Sequence, residues 1–209
     1  MATGDDHHSA LDLDRLSDEG LMEEIVRGSE AAFAALVARY QSRIINVVAR
    51  LIGDRDRARE IAQETFLRVF IHRERYRPSG KFSTWLYTIA MNLGKNEIRR
   101  RVRARGSVSL DKLLEVAGDS GGFVADPSPG PDRLFRRREV ETKVAAAVER
   151  LPRKFREVVV LRDIQQLSYE EIGEVLRIPG GTVRSRINRA RLALKELLDP
   201  AIEGKIHEM

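Results

Sequence analysis

LSYEEIGEVLRIPGGTVRSRINRARLALKELL, Leu167 to Leu198, is the stretch whose reading decides the fold. Ser168 followed three residues later by Glu171 is a capping box, so a helix starts there. Tyr169, Ile172 and Leu176 give that short helix an apolar side. Ile178-Pro179-Gly180-Gly181 reads as a tight turn, with Thr182 expected to cap a second helix. Val183, Ile187, Ala190, Leu194 and Leu197 recur at helical spacing on its inward face. The outward face near its start carries Arg184, Ser185, Asn188 and Arg189, flanked by Arg186 and Arg191. A DNA major groove admits one helix and meets its N-terminal residues. Arginine can donate two bonds to guanine, asparagine can pair with adenine, and arginines at the edge reach phosphates. The stretch therefore reads as a helix-turn-helix for duplex DNA. Its contact set is Thr182, Arg184, Ser185, Arg186, Asn188 and Arg189. The plainer alternative is a helical hairpin with a solvated basic face.

The same unit extends upstream to about Asp132. Leu134, Val140, Val144, Ala147, Val148 and Leu151 predict a helix that ends before Pro152. Phe155 to Ile164 predicts another, with Phe155, Val158, Val159, Leu161 and Ile164 inward. Residues 106–131 break the pattern. Apart from a brief turn of helix expected over Ser107 to Val116, they hold GDSGGFVADPSPGP and read as a flexible linker.

A second helical unit, residues 17–105, precedes the linker. Ser17 caps a short helix that stops at Gly28, and Ser29 caps a long one closed by Gly53 and Asp54. A third starts near Asp56, with Ala58, Ile61, Ala62, Thr65, Phe66, Val69 and Phe70 on its apolar side. Leu67 lies off that stripe, so it either contacts a neighbouring helix or is an exposed apolar contact. YRPSGK, Tyr76 to Lys81, is a loop. The next helix runs from Phe82 to about Arg103, with Trp85, Leu86, Ile89, Ala90, Leu93 and Ile98 apolar and its second half strongly basic. Aromatic rings (Tyr76, Phe82, Trp85, Tyr87) followed by cations suit single-stranded nucleic acid, in which bases stack and cations neutralise the backbone. The alternative places Trp85 and Phe82 in a core and leaves the arginines solvated.

Residues 1–16 read as a disordered tail and 199–209 as a short one. The whole 209-residue chain is all-α by pattern: two small helical domains joined by a linker. Net charge is +5 and cysteine is absent, which excludes disulfides and cysteine-held metals. The four histidines do not cluster, and no Walker loop, paired metal-site carboxylates or nucleophile constellation is present, so neither a cofactor nor an enzyme is expected. No apolar run is long enough for a bilayer, and the expected location is the cytoplasm.

Two motifs, AQETFLRVF (Ala62 to Phe70) followed by KFSTWLYTIAMN (Lys81 to Asn92), and LPRKFREVVVLRDIQQLSYEEIGEVLRIPGGTVRSRINRAR (Leu151 to Arg191), resemble those of bacterial sigma factors of the extracytoplasmic-function group. The resemblance spans about Asp18 to Leu198. It implies a non-catalytic subunit that carries core RNA polymerase to promoters and helps open them. It implies that Gln63, Glu64, Leu67, Arg68 and Phe70 dock on the beta-prime clamp. Recognition and opening of the minus-ten element, with a flipped base of the melted non-template strand, would fall to Tyr76, Arg77, Lys81, Phe82, Ser83, Trp85, Asn92, Lys95, Asn96, Arg99 and Arg100. Trp85 is either a wedge at the melted edge or core. The helix-turn-helix would read the duplex minus-thirty-five element. An anti-sigma partner, in some cases holding the factor near the membrane, is also implied.

The chain departs from the pattern in having arginines at 57 and 59 where acids are usual, Met91 for an arginine, Asn96 for an aspartate, and Arg177 at a turn position often filled by glycine. The rival classes are a dimeric helix-turn-helix regulator that acts without polymerase, an RNA-binding helical protein and, least supported, an enzyme.

Overall fold

The structure, a computed structural model, describes residues 13–77, 80–104 and 131–203. The described residues form eight α-helices and no strand. The first unit holds α1 (Asp18–Val26), α2 (Glu30–Ile52), α3 (Arg55–Ile71) and α4 (Phe82–Ala104). The second holds α5 (Pro131–Arg150), α6 (Arg153–Val159), α7 (Tyr169–Leu176) and α8 (Gly180–Glu203). The expected linker, apart from Pro131, and residues 1–12 and 204–209 of the tails lie outside the described residues.

The helix starts follow from local chemistry. The hydroxyls of Ser17, Ser29 and Ser168 and the carboxylate of Asp54 each accept a backbone N–H of the first turn. Asp54 places the start of α3 at Arg55. Gly53 closes α2 at φ 68°, a left-handed conformation that glycine adopts without steric cost. At Ser168 the capping box is complete: Glu171 N–H donates to the serine hydroxyl at 3.2 Å, and Ser168 N–H donates to Glu171 Oε2 at 2.6 Å. Arg177 ends α7 at φ 56°, which accounts for the glycine common at that turn position.

The first unit packs α3 and α4 against the long α2, with α1 across one end. Its core includes Leu21, Ile25, Leu36, Ile44, Val47, Phe66, Val69, Phe82, Leu86 and Met91. Where α4 meets α2, a Cβ on Gly94 would lie 2.7 Å from Leu51 Cδ2, so the helices approach as closely as they do because position 94 has no side chain. In the second unit Val158, Leu161, Ile172, Val183, Ile187 and Ala190 are buried. One cluster of buried apolar residues runs through both units.

Several expectations are corrected. Residues 13–16 are pinned rather than frayed: the Arg39 guanidinium donates to the carbonyls of Leu13, Asp14 and Leu16 at 2.8–3.2 Å. Val140 is 58% exposed and Val144 is also exposed, whereas Ala145, Ala147 and Val148 face inward. The expected 155–164 helix is α6 followed by a π-helical turn at Val160–Ile164, which turns Ile164 outward. The last helix begins at Gly180, before Thr182, and its first turn closes on the Pro179 carbonyl. It continues past Leu198 to Glu203, into the expected tail.

Candidate nucleic-acid interface

The exposed side of α8 is a short polar row. Arg184, Ser185, Asn188 and Arg189 are exposed, and Thr182 and Arg186 are half-buried beside them. Val183, Ile187 and Ala190 anchor the opposite side with no exposed surface. Spacings of three and four residues bring Arg184, Ser185, Asn188 and Arg189 onto one face. The Ser185 hydroxyl donates to the Thr182 carbonyl at 3.0 Å, so it is left to act as an acceptor. Asp163 pairs with Arg191 at the side of this face.

The second face lies along α4 and the loop before it. Tyr76 and Trp85 stand 5.4 Å apart between ring centroids, and Tyr76 Oη donates to the Gly80 carbonyl at 3.0 Å. They line a groove of ≈ 290 Å³ together with Arg77, Lys81 and Thr84. The sole tryptophan is half-buried, so it belongs both to the edge of the core and to the wall of the groove. Phe82 does not belong to the face. It is fully buried against Tyr40, Tyr76 and Trp85, where it supports the loop from beneath and cannot stack on a base. Ser83 is half-buried at the start of α4.

Further along α4, Asn92, Asn96, Arg99 and Arg100 are exposed, with Arg99 donating to Asn96 Oδ1 at 3.0 Å. Lys95 is mostly buried and lies 3.6 Å from Glu157 of the second unit. Burial pushes its ammonium pKa down, against the pull of Glu157.

Glu97 had no place among the expected site residues, yet it organises the basic end of α4. Only 4% exposed, it accepts bonds from Arg57, Arg100 and Arg101 at 2.9–3.1 Å. The Arg100 hydrogen bond, joined by Arg101 and Arg57, overcomes burial and lowers its pKa from 4.5 to about 2. Arg101 also reaches Asp54 at 2.7 Å, tying the start of α3 to α4. The unusual Arg57 thus has a structural partner.

The third feature is an apolar strip on α3. Leu67 is 52% exposed and Ile71 57% exposed, with Phe70 beside them, so Leu67 faces outward. Gln63 and Arg68 are exposed next to it, and Arg68 pairs with Glu64 at 2.8 Å. Phe70 meets Phe33 at a tilted ring contact, 5.2 Å between centroids, and lies under Arg73. Ile71 was not singled out in the sequence, although it falls four residues after Leu67. No group of acids and histidines among the described residues could hold a metal, and no described helix is long and apolar enough to cross a membrane.

Comparison with known proteins bears on both units. Residues 36–104 match the family model of sigma-70 region 2, and residues 141–194 that of sigma-70 region 4. RNA polymerase sigma-H factor of Pseudomonas aeruginosa is 36% identical, over 88% of this chain and 95% of its own length. The ECF RNA polymerase sigma-E factor of Escherichia coli is 35% identical, over 90% and 98%. Among solved structures, CnrH in complex with the cytosolic domain of CnrY has a TM-score of 0.62 at 23% identity, over 88% of this chain and 97% of that one. The sigma factor RpoE of Bartonella quintana, in complex with the anti-sigma factor NepR, has a TM-score of 0.60 at 21% identity, over 80% and 96%. These two likenesses are of fold.

Proposed function

Because this chain belongs to the extracytoplasmic-function sigma factors, which direct core RNA polymerase to promoters for transcription initiation, we propose a division of labour between its two helical units. The second unit engages duplex DNA at the upstream element through Arg184, Ser185, Asn188 and Arg189, with Arg184, Ser185 and Asn188 toward the base edges and Arg189, at the end of the row, toward the phosphates together with Thr182 and Arg186. The first unit captures the melted non-template strand. Tyr76 and Trp85 offer ring faces to a base, Arg77 and Lys81 neutralise the backbone, and Asn92, Asn96, Arg99 and Arg100 follow the strand toward the duplex edge. Phe82 and Glu97 hold these groups in place. The α3 strip of Gln63, Leu67, Phe70 and Ile71 docks on the polymerase clamp.

The observation that supports this reading is the presence, in one chain, of two dissimilar faces: an exposed polar row on α8, which suits a groove of duplex DNA, and an aromatic–basic groove at α4, which suits unpaired bases. A dimeric regulator needs only the first. Phosphodiester chemistry belongs to the polymerase. The protein acts in the cytoplasm, and an anti-sigma partner restrains it by covering the same α3 strip.

Transcription in vitro with core polymerase tests the function: transcripts start at fixed sites only when the protein is present. If the protein binds a two-fold symmetric duplex tightly by itself and yields no such transcript, the regulator reading wins. The docking strip has its own test. Leu67→Glu removes an apolar contact and places a carboxylate where water is excluded, so affinity for core polymerase falls by roughly 10- to 100-fold. Folding is unaffected because the side chain is half exposed. Unchanged affinity would move the docking site elsewhere.

A further inference from the structure

Helix α4 begins without a capping side chain of its own. The residue before it is Lys81, whose carbonyl takes the N–H groups of Thr84 and Trp85. A lysine side chain offers no acceptor to the orphan N–H groups of a first turn. The turn itself, Phe82-Ser83-Thr84-Trp85, contains no acid. Lysine also stands at the positive end of the helix dipole, where a cation is unfavourable. By contrast α2 and α3 start on Ser29 and Asp54. The groove nevertheless depends on this start, because Lys81 and Trp85 both line it.

The missing acceptor comes from sixty-three residues away. Glu19 Oε1, in the first turn of α1, accepts the Phe82 N–H at 3.1 Å. That turn of α1 is itself fixed to α2. The Tyr40 hydroxyl donates to Asp18, and the Arg39 guanidinium reaches the same carboxylate at 3.1 Å. Tyr40 meets Phe82 edge-on at 5.6 Å between centroids, and Phe82 meets Tyr76 and Trp85 at 6.0 and 6.2 Å. Glu19 therefore holds the backbone of the residue whose ring supports both aromatic walls of the groove. Its charge is felt there too: after burial, Glu19 and then Asp18 push the Tyr76 hydroxyl pKa up.

We propose that Glu19 is a positioning residue for promoter opening: from α1 it supplies the cap that α4 lacks, and so holds Trp85 against Tyr76 in the geometry that takes an unpaired base. The proposal rests on the strand-capture reading above.

The division has a physical reason. An acid at position 81 would cap the helix but repel the phosphates that Lys81 neutralises. A half-buried carboxylate on another helix satisfies the backbone and leaves the groove wall basic and aromatic. From the second unit, Glu171 pairs with the Lys81 ammonium at 2.8 Å and Glu174 lines the groove; Glu19 is the acid bonded to the backbone at the start of α4.

The test uses holoenzyme formed from core polymerase and the full-length chain, at a promoter identified by the transcription assay above. Permanganate reactivity of unpaired thymines follows opening at a series of holoenzyme concentrations. Half-saturation reports initial binding, and the plateau rate reports opening. Glu19→Ala removes the acceptor, whereas Glu19→Gln keeps a carbonyl oxygen for the Phe82 N–H. Ser29→Ala removes a cap from α2 and serves as the control for lost stability. All are compared at a temperature at which circular dichroism shows each to be folded. We expect E19A to slow opening about fivefold at unchanged half-saturation, the scale of one lost helix cap. E19Q should open within about twofold of the parent and S29A at the parental rate. In the free chain the emission of Trp85, the sole tryptophan, should shift in E19A alone, because its ring loses a fixed contact with Tyr76 and Phe82.

Opening by E19A at the parental rate, or unchanged Trp85 emission in that variant, overturns the proposal. Equal slowing in E19A and S29A also overturns it, since lost stability would then suffice. Equal slowing in E19A and E19Q overturns the cap, because charge alone would be acting. If the parent opens no promoter, the strand-capture reading fails and the proposal falls with it. A Trp85 shift confined to E19A, which needs neither DNA nor polymerase, would then place the fault in that reading and not in the Glu19 contact.

Discussion

Glu97→Gln lowers the stability of the first unit at neutral pH by about 3 kcal/mol and removes the part of its acid sensitivity that this carboxylate contributes. The magnitude follows from the depression of the Glu97 pKa from 4.5 to about 2. In the unfolded chain the carboxyl group titrates near its ordinary value, and in the folded protein it stays ionised well below that. The stabilisation is therefore fully present above about pH 5 and is lost as the pH falls through the folded value near 2. Glutamine has nearly the same shape but can satisfy only part of a set made by three guanidiniums. The unpaired arginines reach water in part, which keeps the loss near the lower end of the range for truncated buried pairs. Trp85, the sole tryptophan, reports unfolding of this unit by fluorescence. Urea titrations at neutral pH and near pH 3 would show the difference between the two proteins shrinking in acid. Parallel curves at both values would mean that Glu97 contributes packing and no charge. Because Arg100 is one of its partners, the variant also loosens a residue assigned to the promoter strand.

The residues of this network explain which parts of the molecule were legible in the sequence. Periodicity and caps act over one or two turns, so the starts at Ser17, Ser29 and Ser168, the stop at Gly53 and the inward set Val183, Ile187 and Ala190 can be read residue by residue. Glu97 could have been noticed as the lone acid inside a basic run, three and four residues before Arg100 and Arg101. Its third partner, Arg57, is forty residues away, and no local pattern encodes that pairing. Phe82 fails for a related reason. Its neighbours in sequence suggest a stacking platform, but Tyr40, from α2, covers it. Val140 and Val144 fit a helical stripe, yet the stripe that the second unit buries lies beside them. The seam between the units was the least legible feature. It depends on how two separately amphipathic bundles meet, and Glu157, Glu171 and Glu174 look like ordinary solvated acids until α4 lies against them.

Arg184→Ala and Asn188→Ala each weaken binding at the upstream element by about 1–3 kcal/mol, roughly 5- to 150-fold, without changing stability. Both side chains are exposed and one turn apart on α8, and the helix is held by Val183, Ile187 and Ala190 beneath them. Truncation therefore removes base contacts and leaves the scaffold intact. The two positions are near neighbours, so the double variant loses somewhat more or less than the sum. Specificity separates this assignment from simple charge attraction. With the polymerase holoenzyme on duplex promoters, Arg184→Ala should bind the cognate upstream element and one substituted at the single base pair that Arg184 reads almost equally, because the bidentate contact that discriminated between them is gone. Arg189→Ala, at the edge of the row, should weaken all sequences alike and reduce the salt dependence of log K by about one counterion. Polymerase affinity should be unchanged in each case, since the α3 strip belongs to the other unit. If Arg184→Ala instead lowers affinity uniformly and flattens the salt dependence, Arg184 is a phosphate contact, and the base reading must be carried by Asn188 and Ser185. That result would also rotate α8 in the groove, because residues 184 and 188 share a face and cannot exchange roles without turning the helix.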